Sequence, residues 1–143
     1  MKKIRSSKKG FTLAELLIVV AIIGVLVGIS IPIFTTQLEK SREATDIANL
    51  RAAKAAATAD YLDKGVSATY KYDADLGKLV AADATVAGYG KGTTAGIGGT
   101  GNSYKVSENY TYTSTENAAG KVIQVKITVD NTSGEAAFEF SWV

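Results

Sequence analysis

Nineteen consecutive residues, Leu16 to Phe34, carry no charge. As an α-helix rising about 1.5 Å per residue they extend roughly 29 Å, which matches the hydrocarbon core of a bilayer. Five basic residues precede the run (Lys2, Lys3, Arg5, Lys8 and Lys9), and no acid occurs among the first ten positions. Lys and Arg accumulate on the flank that stays in the cytoplasm, so the N-terminus is expected inside and the C-terminal part exported. An ordinary secretory signal has an apolar core of about 7–15 residues ending at small residues. This run is longer, and Ile29-Ser30-Ile31-Pro32 offers no such cleavage site.

Glu15 stands at the start of the apolar run. A carboxylate in hydrocarbon costs about 2.5–3.5 kcal/mol or more at a helix centre, so its presence asks for a reason. Near the cytoplasmic end it can reach the headgroups. A cut after Gly10 gives a sharper reading, because Phe11 then becomes a new N-terminus one helical turn from Glu15. A first-turn carboxylate also faces the positive end of the helix dipole. Between packed copies, Glu15 would pair with the Phe11 ammonium of a neighbour. A buried charge is tolerated only when paired, so the pair would set register. Further along, Gly24 and Gly28 stand four apart, a spacing that lets helix backbones approach closely. Pro32 follows, and its missing N–H leaves the Gly28 carbonyl without its i+4 donor, so a kink or loosening is expected there.

The stretch Lys8-Lys9-Gly10-Phe11-Thr12-Leu13-Ala14-Glu15-Leu16-Leu17, with the apolar run to Pro32-Ile33-Phe34, resembles the class III signal of type IV prepilins. These belong to the pilin–pseudopilin superfamily. The resemblance implies cleavage between Gly10 and Phe11 by a membrane prepilin peptidase, followed by N-methylation of Phe11. It implies for Glu15 the acidic role in methylation or in neighbour recognition during assembly. It implies that the helix around Gly24, Gly28 and Pro32 can melt locally in a fibre. It also implies self-assembly into a helical homopolymer, with an assembly ATPase and a platform membrane protein as further partners. The absence of cysteine departs from the many Gram-negative pilins that have a C-terminal disulfide loop.

Beyond the apolar run the chain turns polar yet keeps helical character. Alanines are frequent from Ala44 to Ala59, and no Gly or Pro interrupts before Gly65. Ile47, Leu50, Ala57 and Tyr61 share a narrow arc, with Lys54 beside them, as suits a face packed on a domain. Glu39 with Arg42 and Asp60 with Lys64 have helical pair spacing and are expected on a solvated or inter-subunit face. A continuous helix from Thr12 to Asp63 would reach about 78 Å, longer than any bilayer, so its outer half must carry or be covered by the exported domain.

The remainder favours strands. Thr69–Tyr72 suggests a short strand, and Ala74–Ala82 a helical turn or two. Seven glycines fall between Gly88 and Gly101, expected as a flexible surface loop. No flanking strand, helix and Lys make that stretch a phosphate cradle. Ile123, Val125, Ile127 and Val129 alternate with polar residues, and Phe138, Phe140 and Trp142 repeat the pattern. Turn residues at Asn117–Gly120 and Asn131–Gly134 predict an antiparallel meander, whose apolar face needs a cover. The Ala-rich half of the helix is the expected one.

Chemistry is scarce. Without His or Cys there is no Ser-His-Asp or Cys-His arrangement and no thiolate or imidazole metal site. Asp73-Ala74-Asp75 alone is too little for calcium, so no metal and no cofactor is assigned. Beyond Gly10 eleven basic residues face fourteen acids, a formal −3, and no nucleic-acid partner is predicted directly.

The organisation expected is a basic leader at 1–10, a transmembrane and assembly helix at 11–34, its amphipathic continuation at 35–65, and an exported domain at 66–143. The fold class is α+β, a long N-terminal helix packed on a small antiparallel sheet. The function expected is a structural subunit of a type IV pilus, not an enzyme. It would be held in the cytoplasmic membrane with its C-terminus exported, then assembled outside the cell. Two alternatives share parts of this reading. One is a pseudopilin of a type II secretion or competence system; the other is a membrane-anchored binding domain that never polymerises.

Overall fold

The computed structural model describes residues 9–93 and 103–143. Lys2, Lys3, Arg5 and Lys8 of the leader, and Gly96 to Gly101 of the glycine-rich stretch, lie outside the described residues. One helix, α1, runs over Leu13–Lys64. The chain divides into two compact units, Met1–Phe34 and Thr35–Val143.

In the first unit every residue from Lys9 to Phe34 is exposed. This part of α1 is the one helix among the described residues that is long and apolar enough to cross a membrane. Its one hydroxyl, Ser30 Oγ, donates to the Leu26 carbonyl at 2.7 Å, so it asks nothing of a surrounding apolar medium. The helical assignment continues through Gly24, Gly28 and Pro32 without a break.

The second unit opens with the polar half of α1. Its buried positions, Glu39, Glu43, Asp46, Leu50, Ala53 and Ala57, recur at alternating four- and three-residue spacing and so form a single stripe. The stripe is acidic above and apolar below. Ile47 and Tyr61 are half-buried beside it, and Lys54 keeps its ammonium in solvent. Gly65 ends the helix. Its N–H donates to the Tyr61 carbonyl at 2.8 Å with φ at +63°, a left-handed stop that glycine adopts without strain.

Six strands follow: β1 Ala68–Asp73, β2 Lys78–Ala81, β3 Ser103–Ser107, β4 Tyr110–Thr113, β5 Ile123–Val129 and β6 Ala136–Trp142. Four of them form an antiparallel sheet in the order β2-β1-β5-β6, while β3 and β4 form a separate hairpin. Ile123, Val125 and Ile127 are fully buried on one face of β5, and Phe140 and Trp142 join them from β6. They share one core with Leu50, Ala53 and Ala57 of α1, so the helix covers the apolar face of the sheet. The tyrosines take part as core residues: Tyr72 and Tyr112 are buried, and Tyr61, Tyr70, Tyr89, Tyr104 and Tyr110 pack against the same cluster.

Three features differ from the expectation. The meander expected from Asn109 to the end of the chain is interrupted: β5 and β6 are neighbours across the Asn131–Gly134 turn, but β4 pairs with β3. The place beside β5 is taken by β1, with Tyr70 opposite Val125 and Ala68 opposite Ile127. Residues 74–82 form a hairpin in place of helical turns. Asp73 Oδ1 accepts the N–H groups of Asp75 and Leu76, both at 3.0 Å, and Gly77 at φ +64° completes the reversal into β2.

The third difference concerns Gly88–Gly92, which is built into the structure. Tyr89 and Gly90 donate backbone N–H groups to the Lys121 carbonyl, and Gly120 donates to that of Gly90. A Cβ on Gly88 would stand 1.9 Å from the Gly120 oxygen, and one on Gly90 2.0 Å from that of Ala118. These glycines serve close backbone approach. Between them Tyr89 links two strands, its hydroxyl donating to the Tyr72 carbonyl at 2.9 Å and accepting from the Ile123 N–H at 3.0 Å.

Candidate functional site

Gly10 and Phe11 precede the helix in irregular backbone, and Phe11 is 92% exposed. Among the described residues, none beyond its chain neighbours comes within 4 Å of a Cβ placed on Gly10. The peptide bond between them is therefore open to an enzyme.

Thr12 is the helix N-cap. Its carbonyl accepts from the Leu16 N–H at 3.1 Å. Its Oγ1 accepts from the Glu15 N–H at 3.2 Å, and Glu15 Oε2 accepts in return from the Thr12 N–H at 2.8 Å. This reciprocal pair is a capping box, which satisfies two helix-start donors at once. Glu15 therefore has a task inside its own chain before any neighbour is considered. The signal is present in the sequence as Thr12-Leu13-Ala14-Glu15, and reading Glu15 through its charge alone, in lipid, at the helix dipole or toward a neighbour, passes over it.

Gly10, Phe11 and Glu15 are gathered within about one helical turn. Gly24, Gly28 and Pro32 form a separate group at least nine residues further along α1. Among the described residues nothing beyond the helix's own backbone stands within 4 Å of a Cβ on Gly24 or Gly28, so that side of the helix has room for a close neighbour.

In the second unit the acids of α1 depart from a solvated face. Glu39, with its salt bridge to Arg42 at 2.9 Å, is only 3% exposed. Asp46 is fully buried. Its Oδ1 accepts the Lys91 N–H at 2.7 Å, and its Oδ2 accepts the Gly92 N–H at 2.9 Å and the Tyr112 hydroxyl at 3.4 Å. Gly92 reaches this position at φ +60°, with no room for a Cβ beside the Ala119 nitrogen. Burial pushes the Asp46 carboxyl above its ordinary value, while the two backbone bonds, Tyr112 and the Lys91 charge pull it back. Burial, followed by the Asp46 charge, pushes the Tyr112 hydroxyl up as well. Asp46 thus ties the 88–92 segment to the helix, a role that no local sequence pattern signals.

Among the described residues no three His, Cys, Asp or Glu side chains gather as a metal site. Asp73 Oδ1 is already engaged by its own turn.

The family described as the prokaryotic N-terminal methylation motif matches residues 5–31, the stretch that holds Gly10, Phe11, the capping box and both helix glycines. Over 54 residues the chain is 43% identical to fimbrial protein Q of Moraxella bovis, covering 38% of this chain and 34% of that protein. Over 64 residues it is 39% identical to fimbrial protein EcpC of Eikenella corrodens, covering 44% of this chain and 41% of that protein. The chain thus spans well under half the length of these relatives. No solved structure matches it. In its N-terminal methylation motif, in the stretches it shares with the fimbrial proteins and in a long helix packed on an antiparallel sheet, this chain is similar to type IV pilins.

Proposed function

We propose that the chain is a structural subunit of a type IV pilus, cut after Gly10, N-methylated at Phe11 and polymerised through the first half of α1. The observation that carries this reading is the start of that helix: an open Gly10–Phe11 bond directly before a capped and wholly exposed segment in which Glu15 alone is charged. An exposed stripe of Leu, Ile and Val over this length needs lipid or other copies around it. In the precursor, lipid serves, with the chain crossing the cytoplasmic membrane once and its C-terminus outside. In the extracellular pilus, neighbouring helices replace lipid.

Processing changes the electrostatics at the capped end. Cleavage places an α-ammonium on Phe11, next to the N-cap, where the helix dipole disfavours a cation. A carboxylate from a second subunit relieves that, and Glu15 is the acid at the right depth. Close approach at Gly24 and Gly28, and local melting ahead of Pro32, complete the helix role. A prepilin peptidase, an assembly ATPase and a platform membrane protein are the machinery such a subunit requires.

Glu15→Gln separates the two tasks of this residue. Glutamine also completes a capping box, so the helix start is kept while the charge is lost. The variant is expected to be made and cut like the wild type, yet to leave at least about tenfold less chain in sheared filaments, the equivalent of roughly 1.4 kcal/mol per contact. Filament yield equal to wild type would overturn the charge-pair role.

A further inference from the structure

The second unit carries a groove on each flank of α1. One, of about 430 Å³, lies between Lys54, the Lys105–Asn109 end of the β3–β4 hairpin, and Ala136, Ala137 and Phe138 of β6. The other, of about 370 Å³, lies between Asp60 and Asp63 with the alanines before them and Gly77, Lys78 and Leu79 at the start of β2. Strands β6 and β2 are the two edges of the four-stranded sheet. Lys54 and Asp63 are nine residues apart, about two and a half helical turns, which sets them on opposite sides of α1.

The two flanks differ in charge. On the β6 side Lys54 and Lys105 line the groove, and Arg51 stands one turn before Lys54 with its guanidinium 4.6 Å from the Tyr104 ring centroid. The one acid there, Glu108, is paired with Lys105 at 2.8 Å. Lys54 has no ion pair among the described residues. On the β2 side Asp60 and Asp63 are joined by Asp73 and Asp75 of the adjoining turn, against Lys64, which pairs with Asp60, and Lys78. Asp63 and Asp75 have no ion pair among the described residues. Beside Asp75 the turn presents Leu76, 61% exposed and held in place by the two N–H bonds to Asp73.

We infer that the basic groove at β6 receives the acidic β1–β2 turn of a second copy, Leu76 entering beside Phe138 while Asp75 and Asp63 meet Lys54 and Arg51. The contact joins two different patches, so it is heterologous and leaves a free groove and a free turn at the ends of each pair. Such contacts form a ring where the rotation closes and an open filament where it does not, and they do not make an isologous dimer. The inference deepens the pilus reading and rests on it, but its surfaces lie outside the apolar half of α1. It gives the globular units a polarity-setting contact of their own, screened by salt as exposed charges are.

The chain has no cysteine, which makes the test direct. Leu76→Cys and Ala137→Cys are placed singly and together in the full chain. Sheared filaments and membranes are then oxidised and run without reductant. The double variant is expected to give a ladder of dimers, trimers and longer species, and each single variant only monomer. No ladder in either fraction overturns the contact, even where filaments form normally. A dimer from Leu76→Cys alone overturns it too, since like surfaces would then meet. As a check that survives misfolding of one variant, Lys54→Glu is expected to lower filament yield about tenfold, and Asp75→Lys in the same chain to restore it. No change with Lys54→Glu, or no restoration, overturns the pairing. Absence of wild-type filaments overturns the pilus reading and leaves the ladder in membranes to decide the contact.

Discussion

A chain carrying Gly10→Val stays at its full mass, retains residues 1–10 and is absent from the sheared filament fraction. This is the largest effect expected here, because in the proposed pathway every later step needs the Phe11 N-terminus. It is also clean to interpret. A Cβ at position 10 meets nothing within 4 Å among the described residues beyond its chain neighbours, and the capping box begins two residues later. Loss of processing in this variant therefore reports on the enzyme that reads Gly10, not on folding. Immunoblotting of membranes for precursor and mature chain checks the result. Mature chain at the wild-type level would remove Gly10 from the processing site.

The second large effect is expected at Asp46. Asp46→Ala leaves the N–H groups of Lys91 and Gly92 and the Tyr112 hydroxyl without their acceptor inside the second unit. Hydrogen bonds to a charged group are worth about 1.5–3 kcal/mol each, and the burial cost of the carboxylate offsets part of the sum. A net loss of about 2–4 kcal/mol is expected, read as a lowered melting temperature of the detergent-solubilised chain. The loss depends on pH with a definite sign. Burial raises the folded carboxyl above its ordinary value of 3.8, so the folded chain holds this proton more tightly than the unfolded one. The contribution of Asp46 is thus greatest below that ordinary value and falls as pH rises through the folded pKa. The gap between wild type and Asp46→Ala should accordingly be wider at about pH 4 than at about pH 7. A gap that narrows on acidification contradicts burial as the dominant influence. Asp130 has the opposite sign, because the N–H groups of Ser133 and Thr132 hold its carboxyl below the ordinary range. Its contribution is lost on acidification, and it is common to both chains.

What could be read from the sequence was what local physics decides. The length of α1 follows from an apolar run continued by alanines and halted at Gly65, and the helix ends within one residue of that expectation. The period-two alternation matches the burial of β5 from Ile123 to Ile127 and of β6 from Glu139 to Trp142, while Val129 and Phe138 are only half-buried. The features that escaped depend on distant partners. Nothing near Tyr70 announces that it will lie opposite Val125, some 55 residues away, and so displace β4 from β5. Gly88, Gly90 and Gly92 look like flexible loop residues until Ala118–Gly120 are seen against them. A glycine chosen for space and one chosen for mobility are the same letter. Asp46 escaped for a related reason: its acceptors are filled by backbone N–H groups about 45 residues along the chain, which carry no side-chain signature. The Glu15 cap was different, because Thr12 and Glu15 spell it within four residues.

The measurement that bears most directly on the account is mass spectrometry of filaments sheared from cells, identifying the N-terminus and abundance of this chain. The account predicts an abundant chain that begins at N-methylated Phe11. A chain in that fraction still carrying Gly10 would contradict it, as would a correctly cut chain that never leaves the cell surface.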